Sequence, residues 1–161
     1  IKEQARTVLA TLYNSPEDSI TPVNKIHYTL EDIEGISAKG GGNGDVTIFY
    51  STRHIEKSFA ENDTAKLFFE TRGVLLHELT HAYQLEPQGI GSYGTNRVFW
   101  AFIEGMADAV RVANGGFDGP NAVRKEETTW TVIGQQVISS SGCATIKILN
   151  SCVSLTAAHW R

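Results

Sequence analysis

Apolar residues recur at helical spacing in three stretches of this chain. Ile1, Ala5, Val8, Leu9 and Leu12 form one stripe, closed by Asn14-Ser15-Pro16. Leu67, Phe68, Val74, Leu75, Leu79 and Ala82 form a second over residues 64–85, with Pro87 just past its end and Thr64 where a helix cap is expected. Phe99, Phe102, Ile103, Met106, Ala109 and Val110 form a third over residues 97–116, stopped by Asn114-Gly115-Gly116. Between the first two stripes the pattern changes to alternation. Ile26, Tyr28 and Leu30 alternate in KIHYTL, and DVTIFY at residues 45–50 is the clearest strand. Residues 33–38 suggest a shorter strand, and residues 54–60 a short helix. The run Gly40-Gly41-Gly42-Asn43-Gly44 reads as a turn, because Asn-Gly between strand-like runs is a strong hairpin signal. It fails as a phosphate loop, since no Lys-Ser/Thr pair follows, and as a calcium-binding repeat, since Val46 stands where an aspartate is needed. The expectation is an α+β fold, one domain over residues 1–161 with no internal repeat or linker.

Composition narrows the partners. An apolar content of 41% and a charged content of 20% are those of a soluble globular domain, and 161 residues suffice for a real core. No stretch approaches the roughly 20 apolar residues of a membrane span. A net charge of −4 argues against nucleic acid as a principal partner. The chain starts at Ile1 without an initiator methionine or signal segment, as expected of a processed or truncated form. The two cysteines, Cys143 and Cys152, imply neither a disulfide framework nor a structural zinc site. Asn62-Asp63-Thr64 is a glycosylation acceptor only in a chain secreted by a eukaryote. Oligomeric state is not written in these patterns.

The chemistry lies on the second and third stripes. His77-Glu78-Leu79-Thr80-His81 is an HExxH motif on a helix, so both imidazoles share one face and can reach one metal ion, with Glu78 beside them. A zinc site for hydrolysis needs three protein ligands and an open position for water. Glu104, flanked by Ile103, Gly105 and Met106 on the third stripe, is the best third ligand. Asp108 lies one turn further, where it can accept a hydrogen bond from a ligand histidine and fix its tautomer. The competing reading, two unrelated histidines and a solvated glutamate, does not account for the apolar neighbours of all three. His27 and His54 read as strand and surface residues. The loop EPQGIGSYGTN between the two helices should border the cleft, and its Tyr93, like Arg111, can contact substrate.

VLLHELTHAYQ followed by FIEGMADAVRVANGGF resembles the plant and microbial basic secretory protein family, and GGNGDVTIFYSTRHI is similar to that family's strand before the site. The resemblance covers about residues 7–130. It implies a zincin-like metallopeptidase fold, a small twisted sheet packed on the HExxH helix. It also implies an extracellular protein. By position, His77 and His81 match the metal-ligand histidines, Glu78 the catalytic glutamate, and Glu104 and Asp108 the downstream acidic pair. Two departures stand out. This chain is acidic, so the cell-wall or membrane affinity of a basic member is not implied. Residues 131–161 also look unlike the family, which continues with Trp, one residue, then Asp-Gly-Tyr. A frame displaced to the last base of the Trp130 codon must read aspartate, and allowed codons continue it as Gly-Tyr. A frameshifted tail is therefore expected to pack poorly, leaving Val137, Ile138, Ile146 and Ile148 partly exposed.

These readings combine into a peptidase that acts on peptide or protein substrates. Zn2+ is held by His77, His81 and Glu104, and Glu78 takes the proton of the attacking water. DVTIFY is the expected edge strand for an extended substrate. Tyr93 is the candidate for binding substrate and for stabilising the oxyanion. The alternatives are a secreted binding or defence module that keeps the fold with little or no turnover, and a zinc hydrolase of a non-peptide bond.

Overall fold

An alternating segment becomes a stable strand only when its apolar face is covered, and here the HExxH helix covers it. The computed structural model describes residues 1–15, 18, 22–86, 89 and 91–117, and the backbone of residues 144–148 and 151–155. Its elements run α1 (Lys2–Leu12), β1 (Lys25–Glu31), β2 (Ser37–Gly42), β3 (Asp45–Ser51), α2 (Thr52–Ser58), α3 (Thr64–Tyr83), α4 (Arg97–Ala113), β4 (Ala144–Ile148) and β5 (Ser151–Leu155). The class is α+β, with a small mixed sheet in the order β1-β3-β2. β3 pairs parallel to β1, from Lys25 with Asp45 to Glu31 with Ser51, and antiparallel to β2, from Ser37 with Tyr50 to Gly42 with Asp45.

The β2–β3 hairpin closes on Asn43-Gly44, whose φ angles of +54° and +86° are the left-handed pair that a two-residue turn of this hand requires. Val46, Ile48 and Tyr50 alternate onto the buried face of β3. Ile48 and Val46 pack with Leu75, Leu76, Leu79, Ala82 and Tyr83 of α3, Val8 and Leu12 of α1, and Val110 of α4. Each large apolar side chain fully buried there contributes about 1.5–3 kcal/mol. α3 is therefore the central helix, packed against the sheet, α1 and α4, with Asn114 at the end of α4 bonded to Thr11 of α1.

Two polar ties set the approach of the helices. The Tyr13 hydroxyl donates to the Tyr83 carbonyl at 2.5 Å, fixing the end of α3 against the end of α1. Arg111 of α4 is buried, donates from Nε to the Gly116 carbonyl at 2.8 Å, reaches Glu70 Oε2 of α3 at 3.4 Å, and lies 3.9 Å from the centre of the Phe117 ring. Gly73 makes that approach possible, since a Cβ there would meet Arg111 Nε at 2.6 Å.

Several boundaries differ from the sequence reading. The helix cap is Asp63, not Thr64: its side chain accepts from the Lys66 N–H, and Thr64 is already helical. The glycine run is not all turn, because Gly40, Gly41 and Gly42 pair with β3. The short strand accordingly spans Ser37–Gly42 rather than residues 33–38. The short helix starts at Thr52, where the Ser51 side chain accepts from the His54 N–H. DVTIFY is the middle strand, with partners on both sides, so it is not an edge open to a substrate; the edges are β1 and β2. Of residues 131–161, β4 and β5 form an antiparallel hairpin, from Ala144 with Leu155 to Ile148 with Ser151. The expected exposure of Val137, Ile138, Ile146 and Ile148, and the frameshift, lie outside the described residues. Among the described residues, no helix is long and apolar enough to cross a membrane.

Candidate metal centre

α3 carries His77 and His81 one turn apart, and α4, packed alongside, carries Glu104 and Asp108 one turn apart. The two pairs face each other. His77 Nε2 and His81 Nε2 are 3.0 Å apart, Glu104 Oε2 is 3.3 Å from the first, and Glu104 Oε1 is 3.5 Å from the second. The imidazoles meet edge to face at 86°, and one ligand atom from each of His77, His81 and Glu104 lies within 4.8 Å of the others. Zinc bonds of about 2.0–2.1 Å in a tetrahedron require ligand atoms about 3.3–3.4 Å apart. The observed separations bracket that value, and the donor set of two imidazoles and one carboxylate suits zinc.

The far sides of both imidazoles are also occupied. His77 Nδ1 lies 2.9 Å from Asp108 Oδ1, and His81 Nδ1 lies 2.8 Å from Gln84 Nε2. The charges follow from this arrangement. Burial alone would pull the His77 pKa down, but the Asp108 and Glu104 carboxylates outweigh it and hold it up to about 9. Burial, then the neighbouring His77 charge, pulls His81 down to about 4. Burial would raise Glu104, yet its contacts with His77 and His81 hold it below the ordinary carboxylate value. Without metal, one histidine of the pair carries a proton and the other does not.

Glu78 is 4% exposed, on the sheet side of the same turn. Ser37 Oγ of β2 donates to its Oε1 at 2.5 Å. Burial raises the Glu78 pKa, and the Ser37 hydrogen bond opposes that shift in part. Tyr93, in the loop before α4, does not stand free in the cleft. Its hydroxyl donates to Glu104 Oε1 at 2.8 Å and accepts from Trp100 Nε1 at 3.0 Å, and its pKa is pushed up to about 12 by burial and by Glu104. Arg111, expected as a substrate contact, is spent on the α3–α4 packing. His54 lies beside Glu70 and His27 on β1, and neither joins the cluster.

Residues 1–139 match the sequence model of a family described as peptidase of plants and bacteria, the basic secretory proteins. The chain belongs to that family. No curated protein and no solved structure matches it. The family is one of peptidases by its description, which supports a peptidase-like function. Sequence reasoning missed Ser37, Gln84 and Trp100. Gln84 was within reach, three residues after His81 at a helix end where its side chain folds back. Ser37 had no local signal, since 41 residues separate it from Glu78.

Proposed function

We propose that this basic secretory protein is a zinc-dependent peptidase of zincin-like fold, acting outside the cell on peptide or protein substrates. The observation that carries the reading is the convergence of His77 Nε2, His81 Nε2 and a Glu104 carboxylate, with a buried glutamate, Glu78, on the same turn of helix. His77, His81 and Glu104 are the residues that would hold zinc. When bound, zinc supplies Lewis-acid activation of a water and of the scissile carbonyl.

The remaining steps belong to the chain. Glu78 takes a proton from the attacking water and returns it to the amine nitrogen as the peptide C–N bond breaks. Its burial suits it to that double role, because a raised pKa brings a carboxylate closer to the proton it must hold between the two transfers. Ser37 donates to Oε1 and so leaves Oε2 to take the proton. β2 is an edge of the sheet and carries Ser37, so an extended substrate paired along β2 would lie beside Glu78. Tyr93 acts on Glu104: its hydroxyl fixes one carboxylate oxygen, and Trp100 fixes the hydroxyl.

Metal analysis of the purified protein, beside hydrolysis of denatured casein, tests the proposal. About one zinc per chain and casein cleavage that a chelator abolishes are expected. A zinc-loaded protein that leaves casein intact would point instead to a binding or defence module.

A further inference from the structure

The two imidazoles of the cluster are backed by different chemistry. His77 Nδ1 faces a carboxylate, which can only accept a hydrogen bond. His81 Nδ1 faces the carboxamide of Gln84, which offers an acceptor at one end and a donor at the other. Gln84 is 6% exposed and sits where the chain leaves α3: its own N–H still bonds the Thr80 carbonyl at 2.8 Å, but its backbone has turned extended. The Tyr13 hydroxyl holds the adjoining Tyr83 carbonyl. The side chain is thus anchored from behind and folded onto His81. Nε2 of the amide lies 2.8 Å from His81 Nδ1, and Oε1 is buried with no hydrogen-bond partner.

Metal ligation fixes what that contact must be. A nitrogen that gives its lone pair to a metal carries no proton, so a neutral His81 ligating through Nε2 holds its proton on Nδ1. An amide N–H facing an imidazole N–H at 2.8 Å is repulsive, while the unpartnered Oε1 is the acceptor the Nδ1–H needs. A half-turn of the terminal amide torsion exchanges the two atoms, and that torsion is broad and roughly two-fold. Building on the zinc reading above, we propose that Gln84 is a positioning residue for the metal site: its carboxamide oxygen accepts from His81 Nδ1–H and so holds Nε2 towards the metal. Asp108 fixes the tautomer of His77, and Gln84 that of His81.

The test uses the whole chain and zinc alone. Gln84→Met keeps length and bulk but removes both hydrogen-bonding ends, and Gln84→Glu keeps only acceptors. Zinc affinity is measured by competition with a chelator, and the His81 ring nitrogens are followed by long-range proton–nitrogen NMR. In zinc-loaded wild type, the His81 Nδ1 proton is expected to be resolved and slow to exchange with water. Gln84→Met should weaken zinc by roughly tenfold or more and speed that exchange, while Gln84→Glu should restore both. A merely structural glutamine would lower the melting temperature of Gln84→Met without moving either readout. The proposal is overturned if Gln84→Met binds zinc as tightly as wild type with an unchanged Nδ1 proton. It is equally overturned if zinc-loaded wild type carries no proton at His81 Nδ1, a result that needs no variant. If zinc leaves the His77 and His81 ring signals of wild type unmoved, the metal assignment itself has failed, and that outcome is distinguishable from the other two.

Discussion

Zinc affinity should depend on pH through a single proton, and the structure identifies it. Metal-free His77 is held up to about 9 by Asp108 and Glu104 and is protonated at neutral pH, whereas His81, at about 4, is already neutral. Glu104 is held below its ordinary value and is ionised. Ligation therefore has to expel the His77 proton and no other from the ligand set. At pH 7 that expulsion is about two units uphill, costing about 2.7 kcal/mol or roughly a hundredfold in affinity. The sign follows: affinity rises about tenfold per pH unit from about 5 to about 9 and levels off above. Zinc dissociation constants measured by chelator competition, corrected for the chelator's own protonation, give this slope directly. Calorimetry in buffers of different ionisation enthalpy counts the released proton. Affinity that stays flat between pH 6 and 8.5, or that climbs with two protons, refutes the reasoning.

Other outcomes follow from the same contacts. Glu104→Gln should weaken zinc far more than Glu78→Gln, because only the first removes an anionic ligand; equal metal retention in chelator titrations would remove Glu104 from the ligand set. Asp108→Asn should cost on the order of tenfold to a hundredfold in zinc affinity or activity, and an unchanged enzyme would reduce Asp108 to a packing role. The metal-free chain gains stability from the raised His77 pKa at pH values below 6.5 and should lose it as pH rises through about 9, seen as a falling urea midpoint. Leu76→Ala, at a side chain with 0% exposure, should cost about 2–5 kcal/mol in urea unfolding; a cost under about 1 kcal/mol would contradict its place in the core.

The helices, and the placing of His77, His81 and Glu104 on them, are legible in the sequence because both rest on local spacing. His77 and His81, and Glu104 and Asp108, are each four residues apart, and the apolar stripes beside them said which way they face. That the two pairs meet is a matter of packing, set by Gly73 and Arg111 at the α3–α4 contact, and nothing in the spacing of Arg111 distinguishes that buried role from a substrate contact. The order of the sheet was not legible. DVTIFY has the strongest strand pattern because it is the most buried strand, which makes it the centre rather than the edge. Ser37 was invisible for a related reason: its partner Glu78 is reached through the fold, across a strand whose glycines read as a turn. The loop sequence places Tyr93 near the site, but not the engagement of its hydroxyl by Glu104, which depends on the fold.

The most direct test of the central claim compares wild type with Glu78→Gln in one preparation series, measuring bound zinc and casein cleavage on each. The geometry predicts about one zinc per chain in both proteins, with cleavage in wild type alone, abolished by chelator and restored by zinc. Glu78→Gln protein that binds zinc and cleaves casein at the wild-type rate would contradict the account.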